Sequence, residues 1–148
     1  MSVSLSFGES ARSASILVVD DEPDVADQFR QRFRRETRQG TYAMHFAASG
    51  AEALDRLAGK IQPALVAVLS DINMPRMDGL ELLAEIKQRF PNLPVMMVTA
   101  LGDDDRRRRA RELGAIEFIT KPVDFDQLKE QLRQLPAAGD RSSRYIGG

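Results

Sequence analysis

At 148 residues the chain is long enough for one domain whose core needs neither metals nor disulfides. With 43% hydrophobic and 29% charged residues and a net charge of -1, it has no general attraction to nucleic acid or an anionic membrane, so its function must be local. The absence of cysteine excludes thiol catalysis, disulfides and thiolate metal sites, and no apolar run approaches the roughly 20 residues that span a bilayer, which together point to a cytoplasmic protein.

Residues 1–14 are rich in Ser and small residues without a period and read as a flexible tail. Ile16 to Val19 form a first strand that runs into Asp20-Asp21. Pro23 then suits a first helical turn, and Val25, Ala26, Phe29 and Phe33 share one helix face. The charged stretch FRRETRQG that follows has no functional reading. Tyr42 to Ala48, with His45 among apolar neighbours, has the mixed character of an edge strand. Ser49 and Glu52 have capping-box spacing for a second helix. Ala64 to Leu69 is the third strand, followed by Asp71; Asp78 and Glu81 open a helix whose face is Leu82, Leu83, Ile86 and Phe90. Val95 to Val98 is the fourth strand, ending in Thr99-Ala100. Segment 103–113 offers only Ala110 and Leu113 as apolar anchors, which predicts a weakly held helix. Ile116 to Ile119 is the fifth strand, ending in Thr120-Lys121-Pro122, and Asp124 with Gln127 starts a last helix with Phe125, Leu128, Leu132 and Leu135 on one face. Residues 136–148 read as a second tail, which leaves 15–135 as the folded unit.

Four of the strands are continuous apolar runs, the mark of a parallel sheet buried on both faces. Alternation with helices gives an α/β protein of (βα)5 type, and right-handed crossovers restrict it to a doubly wound, three-layer arrangement. Ligands of such sheets bind outside the carboxyl ends of the strands. Those ends carry Asp20-Asp21, Asp71, Thr99-Ala100 and Lys121. Clustered carboxylates repel one another unless a cation shares the site. Oxygen ligands without cysteine, too few for a full cage, point to Mg²⁺ that keeps waters and also meets phosphate oxygens. Thr99 and Lys121 suit the oxygens of a transferring phosphoryl group, which one carboxylate must accept.

ILVVDDEP, SDINMPRMDGLELL, PVMMVTA and FITKP resemble the acidic pair, phosphoacceptor loop, switch threonine and lysine-proline motifs of response-regulator receivers in two-component signalling, especially the single-domain chemotaxis type. The likeness covers residues 15–135, and four motifs in order make it specific. It implies a flavodoxin-like, five-stranded parallel sheet of order 2-1-3-4-5 and a phosphorylation-dependent switch rather than an enzyme, one that at most catalyses its own phosphorylation and slow self-dephosphorylation. Asp71 matches the acceptor of a phosphoryl group from a histidine kinase or a histidine phosphotransfer protein. Asp20 and Asp21 match the metal pair, with the Asp71 carboxylate and the backbone carbonyl of Asn73 completing the protein's share of the Mg²⁺ ligands. Lys121 matches the lysine that pairs with the phosphoryl group, through a cis bond to Pro122. Thr99 matches the hydroxyl that moves to the phosphoryl group, Phe118 the aromatic that changes rotamer with it, and Ala100 the small neighbour that permits close approach. Leu101 stands where some members carry a polar residue that orients the hydrolytic water, so a phosphoprotein longer-lived than that of Leu101→Glu is expected.

Movement of Thr99 must drag the weakly held helix 103–113, so an unidentified downstream protein is expected to read that helix and strand 116–119. A phosphorylation-dependent dimer is compatible with this; direct nucleic-acid or membrane binding is not expected. Arg106 to Arg109 follow Asp103, Asp104 and Asp105 at i,i+4 spacing, which reads as a self-paired solvated face rather than a nucleic-acid patch. His45 lies too far away in topology to serve the acidic pocket. Nothing after residue 135 reads as an output domain, so the chain either signals through its own surface or is part of a larger assembly. A haloacid-dehalogenase type of enzyme would want a carboxylate where Asn73 stands, and a dinucleotide-binding domain would want a glycine-rich loop where DDEPDV stands. An interaction-only receiver would lack pocket residues that are all present.

Overall fold

The computed structural model describes residues 13–136. The two stretches read as tails lie almost wholly outside the described residues, although Ala14 already belongs to the first strand. In chain order the elements are β1 (Ala14–Val19), α1 (Pro23–Arg32), α2 (Arg34–Arg38), β2 (Tyr42–Ala47), α3 (Gly50–Ala58), β3 (Leu65–Asp71), α4 (Gly79–Arg89), β4 (Val95–Thr99), α5 (Asp104–Glu112), β5 (Glu117–Thr120) and α6 (Phe125–Arg133). All strand pairs are parallel, in the order β2-β1-β3-β4-β5, which is the flavodoxin-like arrangement expected. No helix among the described residues is long and apolar enough to cross a membrane.

The core divides along the sheet. Leu17, Val19, Val68, Val95 and Met97 face α3, α4 and α5, where Ala53, Leu82, Leu83, Ile86 and Ala110 are buried. Ile16, Val18, Leu69, Met96 and Val98 face the other way, toward Phe29 and Phe33 on one side and Phe125, Leu128 and Leu132 on the other. Every β1 residue is buried, which is why its run is apolar without alternation. Edge strand β2 is only half-buried, and His45 Nε2 lies 3.0 Å from the buried Ser15 hydroxyl.

Helix starts follow their caps. Ser49 accepts from the Glu52 amide, Asp124 from the Gln127 amide, and Asp78 with Glu81 forms a full capping box. Two expectations need correction. The (βα)5 pattern implies five helices, but FRRETRQG, which carried no reading of its own, contains a further helical turn, α2, so the described residues hold six. Its anchor is the ion pair between Glu36 and Lys129 at 3.1 Å, both mostly buried, with Lys129 also donating to the Arg32 carbonyl and lying over the Phe33 ring. The fifth strand begins at Glu117; Ile116 precedes it and is exposed.

Candidate functional site

The direction of the sheet reverses at β1, whose neighbours are β2 and β3, and the carboxyl ends of β1 and β3 carry the acidic residues. Asp20, Asp21 and Asp71 each place a carboxylate oxygen within 4.8 Å of the others. Asp20 closes a tight turn in which its Oδ1 accepts from the Glu22 amide at 2.9 Å, just ahead of Pro23 at the start of α1. Burial pushes the Asp20 carboxyl above its ordinary value; the Glu22 amide opposes this, Asp71 and Asp21 add to it, and Lys121 offsets part.

Asp71 is the last residue of β3 and is 6% exposed. Its Oδ1 accepts from the Asn73 amide at 3.3 Å, and its Oδ2 accepts from Lys121 Nζ at 3.2 Å. Lys121 reaches the carboxylate because its own amide donates to the Thr99 carbonyl at 2.9 Å, which pins the end of β5 to the end of β4. The Lys121–Pro122 bond is cis, as is Gln62–Pro63. Asn73 is exposed and turns its side-chain amide toward Asp103, at 3.5 Å. Thr99 is fully buried, Ala100 and Leu101 are exposed, and Phe118 is half-buried beneath the guanidinium groups of Arg107 and Arg111.

A cavity of about 300 Å³ opens beside Asp20, Asp71 and Lys121 and runs between α1 and the start of α6. A roomier one, about 370 Å³, lies at the opposite end of the sheet among Leu57, Ile61, Leu65, Phe90 and Leu93 and has no ionisable lining residue. The chemistry belongs to the smaller cavity.

The arginine tetrad departs from expectation. Only Arg108 pairs with an aspartate of the same segment, and it does so with Asp105 at i,i+3. Arg109 pairs with Glu112, Arg106 reaches Asp78, the N-cap of α4, at 3.1 Å, and Arg107 donates to Thr99 and Thr120. The physical reason lies in Ala110, the one buried residue of α5: positions three and four before it must face the body of the protein, and those are Arg107 and Arg106. Helical period counted back from Ala110 was the available signal.

A family model described as response regulator receiver domain matches residues 16–133. Response regulator Rre1 of Synechocystis sp. is 38% identical over 135 residues, covering 90% of this chain and 56% of that protein. Sporulation initiation phosphotransferase F of Bacillus subtilis is 34% identical over 119 residues, covering 80% of this chain and 90% of that protein. The signal receiver domain of an HD domain-containing protein from Pseudomonas fluorescens Pf-5 has a TM-score of 0.76 at 29% identity, covering 89% of this chain and 99% of that one. The chain thus spans about half the length of relatives such as Rre1 and response regulator MprA. On the strength of this match over most of its described residues, the chain belongs to the response regulator receiver domains, the phosphorylation switches of two-component signalling.

Proposed function

We propose that the domain accepts a phosphoryl group on Asp71, with Mg²⁺ as cofactor, from a histidine kinase or a histidine phosphotransfer protein. The observation that carries this reading is the Asp71 carboxylate: nearly buried, held from two sides by Lys121 and the Asn73 amide, and crowded by Asp20 and Asp21. A carboxylate fixed in this way is presented in one orientation, which favours attack on a phosphorus atom. In that step an Asp71 oxygen bonds to phosphorus while the phosphorus–nitrogen bond of the donor imidazole breaks; the imidazole keeps the electron pair and takes up a proton. The Lys121 ammonium then neutralises phosphoryl oxygens, and the Thr99 hydroxyl donates to one.

The donor set fits a hard divalent ion. Three carboxylates face one ammonium, the cluster holds neither histidine nor cysteine among the described residues, and Asp71 and Asp21 add to the upward push that burial gives the Asp20 carboxyl, a part that a cation would relieve. When bound, Mg²⁺ held by Asp20, Asp21, Asp71 and the Asn73 carbonyl would offset the charge of the carboxylates and of the incoming phosphoryl oxygens.

Incubation with a small phosphodonor and Mg²⁺ should raise the intact mass of the parent by one phosphoryl group and leave Asp71→Asn unchanged. Transfer that survives the substitution would overturn the reading. Downstream, the change is passed to a partner protein through α5 and β5, with Thr99, Ala100 and Phe118 as the moving parts. Ala110 alone is buried on α5, so this helix is held by few apolar contacts. Hydrogen exchange along α5 should therefore change on addition of a phosphoryl analogue while β1 and β3 stay protected; an unchanged α5 would contradict the route.

Leu101 is 86% exposed at the mouth of the site and has no group to orient a water. Phosphate should be lost several-fold faster from Leu101→Glu than from the parent at matched Mg²⁺, the effect of one added hydrogen bond of about 1 kcal/mol to the attacking water.

A further inference from the structure

Arg107 is a cation without a carboxylate. Among the described residues none lies within ion-pairing distance of it, although its helix is rich in acids. Instead its Nη2 donates to Thr99 Oγ1 at 2.9 Å and to Thr120 Oγ1 at 3.0 Å, the two hydroxyls that end β4 and β5. The guanidinium carbon stands 5.7 Å from the centre of the Phe118 ring, and its Nε is buried with no partner. One side chain on α5 therefore touches the hydroxyl, the second strand end and the aromatic residue that the phosphorylation switch employs.

We propose that Arg107 is a positioning residue for Thr99: it holds the hydroxyl in its resting place, so that phosphorylation of Asp71 must break the Arg107–Thr99 bond and in doing so loosens α5. This rests on the reading of Asp71 as phosphoacceptor. Thr99 is fully buried and its Oγ1 already accepts from a guanidinium. β4 lies between β3 and β5 and Arg107 meets Thr99 on the β5 side, so to donate to a phosphoryl oxygen on Asp71 the hydroxyl turns toward β3 and carries its oxygen away from the guanidinium. A charge-assisted hydrogen bond to a half-buried guanidinium is a real obstacle to that turn. The resting bond lowers the fraction of molecules able to receive the phosphoryl group, and by linkage the phosphoryl group lowers the occupancy of the resting bond. Once released, Arg107 keeps only Thr120 and the Phe118 face, and its hold on β4 from α5 is gone. This gives a direct physical connection from the site to the helix that otherwise has one buried anchor.

The test is a double-mutant cycle read by calorimetric titration with beryllofluoride, a phosphoryl analogue, in excess Mg²⁺. Arg107→Met removes both hydrogen bonds while keeping an alkyl chain against Phe118; Thr99→Val removes the hydroxyl at nearly constant shape. Removing a positive charge from the neighbourhood of an anion weakens binding in either background, so the ratio of the two effects is the informative quantity. Relative to its effect in the Thr99→Val background, Arg107→Met should tighten binding roughly three- to tenfold where Thr99 is intact, the net worth of one ordinary intramolecular hydrogen bond. Arg107→Lys keeps the charge with a single donor and should give a smaller factor of the same sign; it serves in place of Met should that variant fail to fold. A factor of one, or one of the opposite sign, would overturn the assignment even though the parent binds beryllofluoride. A parent that binds no beryllofluoride would instead overturn the phosphoacceptor reading, and this inference with it.

Discussion

Without Mg²⁺, Asp20→Asn should be more stable than the parent by about 1 kcal/mol at pH 7, and adding Mg²⁺ should reverse the order. Asp20, Asp21 and Asp71 have oxygens within 4.8 Å of one another, and Lys121 pairs with Asp71 and acts on Asp20. Two unit charges at that distance repel by about 1 kcal/mol in a water-like medium. That limit applies because Asp20 remains partly exposed and the ammonium offsets part of the repulsion. Asparagine keeps the oxygen that accepts from the Glu22 amide, so the turn into α1 survives and the loss is confined to charge. In the parent, Mg²⁺ at a hundred times its dissociation constant should add about 2.7 kcal/mol, or roughly 10 °C in Tm for a domain of this size. Asp20→Asn should show little of that gain. Thermal unfolding of both proteins with and without Mg²⁺ measures all four values, and a variant that responds to Mg²⁺ like the parent would remove Asp20 from the metal site.

The same carboxyl fixes a pH dependence. Its value in the folded protein lies above the ordinary 3.8, so the unfolded chain releases this proton first as pH rises. Over the window that starts near that ordinary value and ends above the raised one, the folded state binds more protons than the unfolded state, and this group's contribution to metal-free stability falls as pH rises. Below the window the contribution is fully present. Mg²⁺ requires the ionised form, so its stabilisation should grow through the same window. Asp20→Asn should lack both trends.

Much of this architecture could be read from residues alone because a parallel sheet buried on both faces leaves an unambiguous trace. β1 and β4 are buried at every position, and Ile16 to Val19 and Val95 to Val98 within them are apolar without alternation. The carboxylates were legible for a related reason: a buried strand that ends in Asp71 has no structural use for the charge. Direction was harder to read than spacing. Along α5 the aspartates and arginines stand at pairing distances, yet Arg106 and Arg107 turn inward because the burial of Ala110 sets the helix phase. α2 was hidden for another reason, since the contacts that hold it come from Lys129, 93 positions after Glu36. Nothing local in FRRETRQG records that partner.

Gly79 shows the same limit at the site itself and should be the least replaceable glycine in the domain. Asp78-Gly79 reads as a helix start, and so it is, but the glycine also packs against the backbone of β3. A Cβ there would stand 2.3 Å from the Asp71 carbonyl oxygen and 2.6 Å from the Ile72 Cα, and the Gly79 amide already donates to the Ile72 carbonyl at 2.7 Å. These are main-chain atoms, which no rotamer change can move aside. Either α4 shifts away from the sheet or the end of β3 bends, and both displace Asp71. Gly79→Ala is therefore expected to cost about 3 kcal/mol or more, the upper end of overpacking, and to lower phosphoryl transfer as well. Gly50 supplies the control. It too is the first residue of a helix, after Ser49, so alanine brings the same gain in helix propensity there. The three atoms nearest its added Cβ all belong to the Met77 side chain, with Sδ at 2.6 Å, and a flexible thioether can move. Gly50→Ala should cost about 1 kcal/mol or less. Denaturant unfolding of the two variants separates close backbone approach from helix-start chemistry: equal stabilities would mean that the contact with Asp71 contributes nothing, whereas a gap of about 2 kcal/mol, with transfer lost in Gly79→Ala alone, ties the placement of Asp71 to the missing side chain eight residues later.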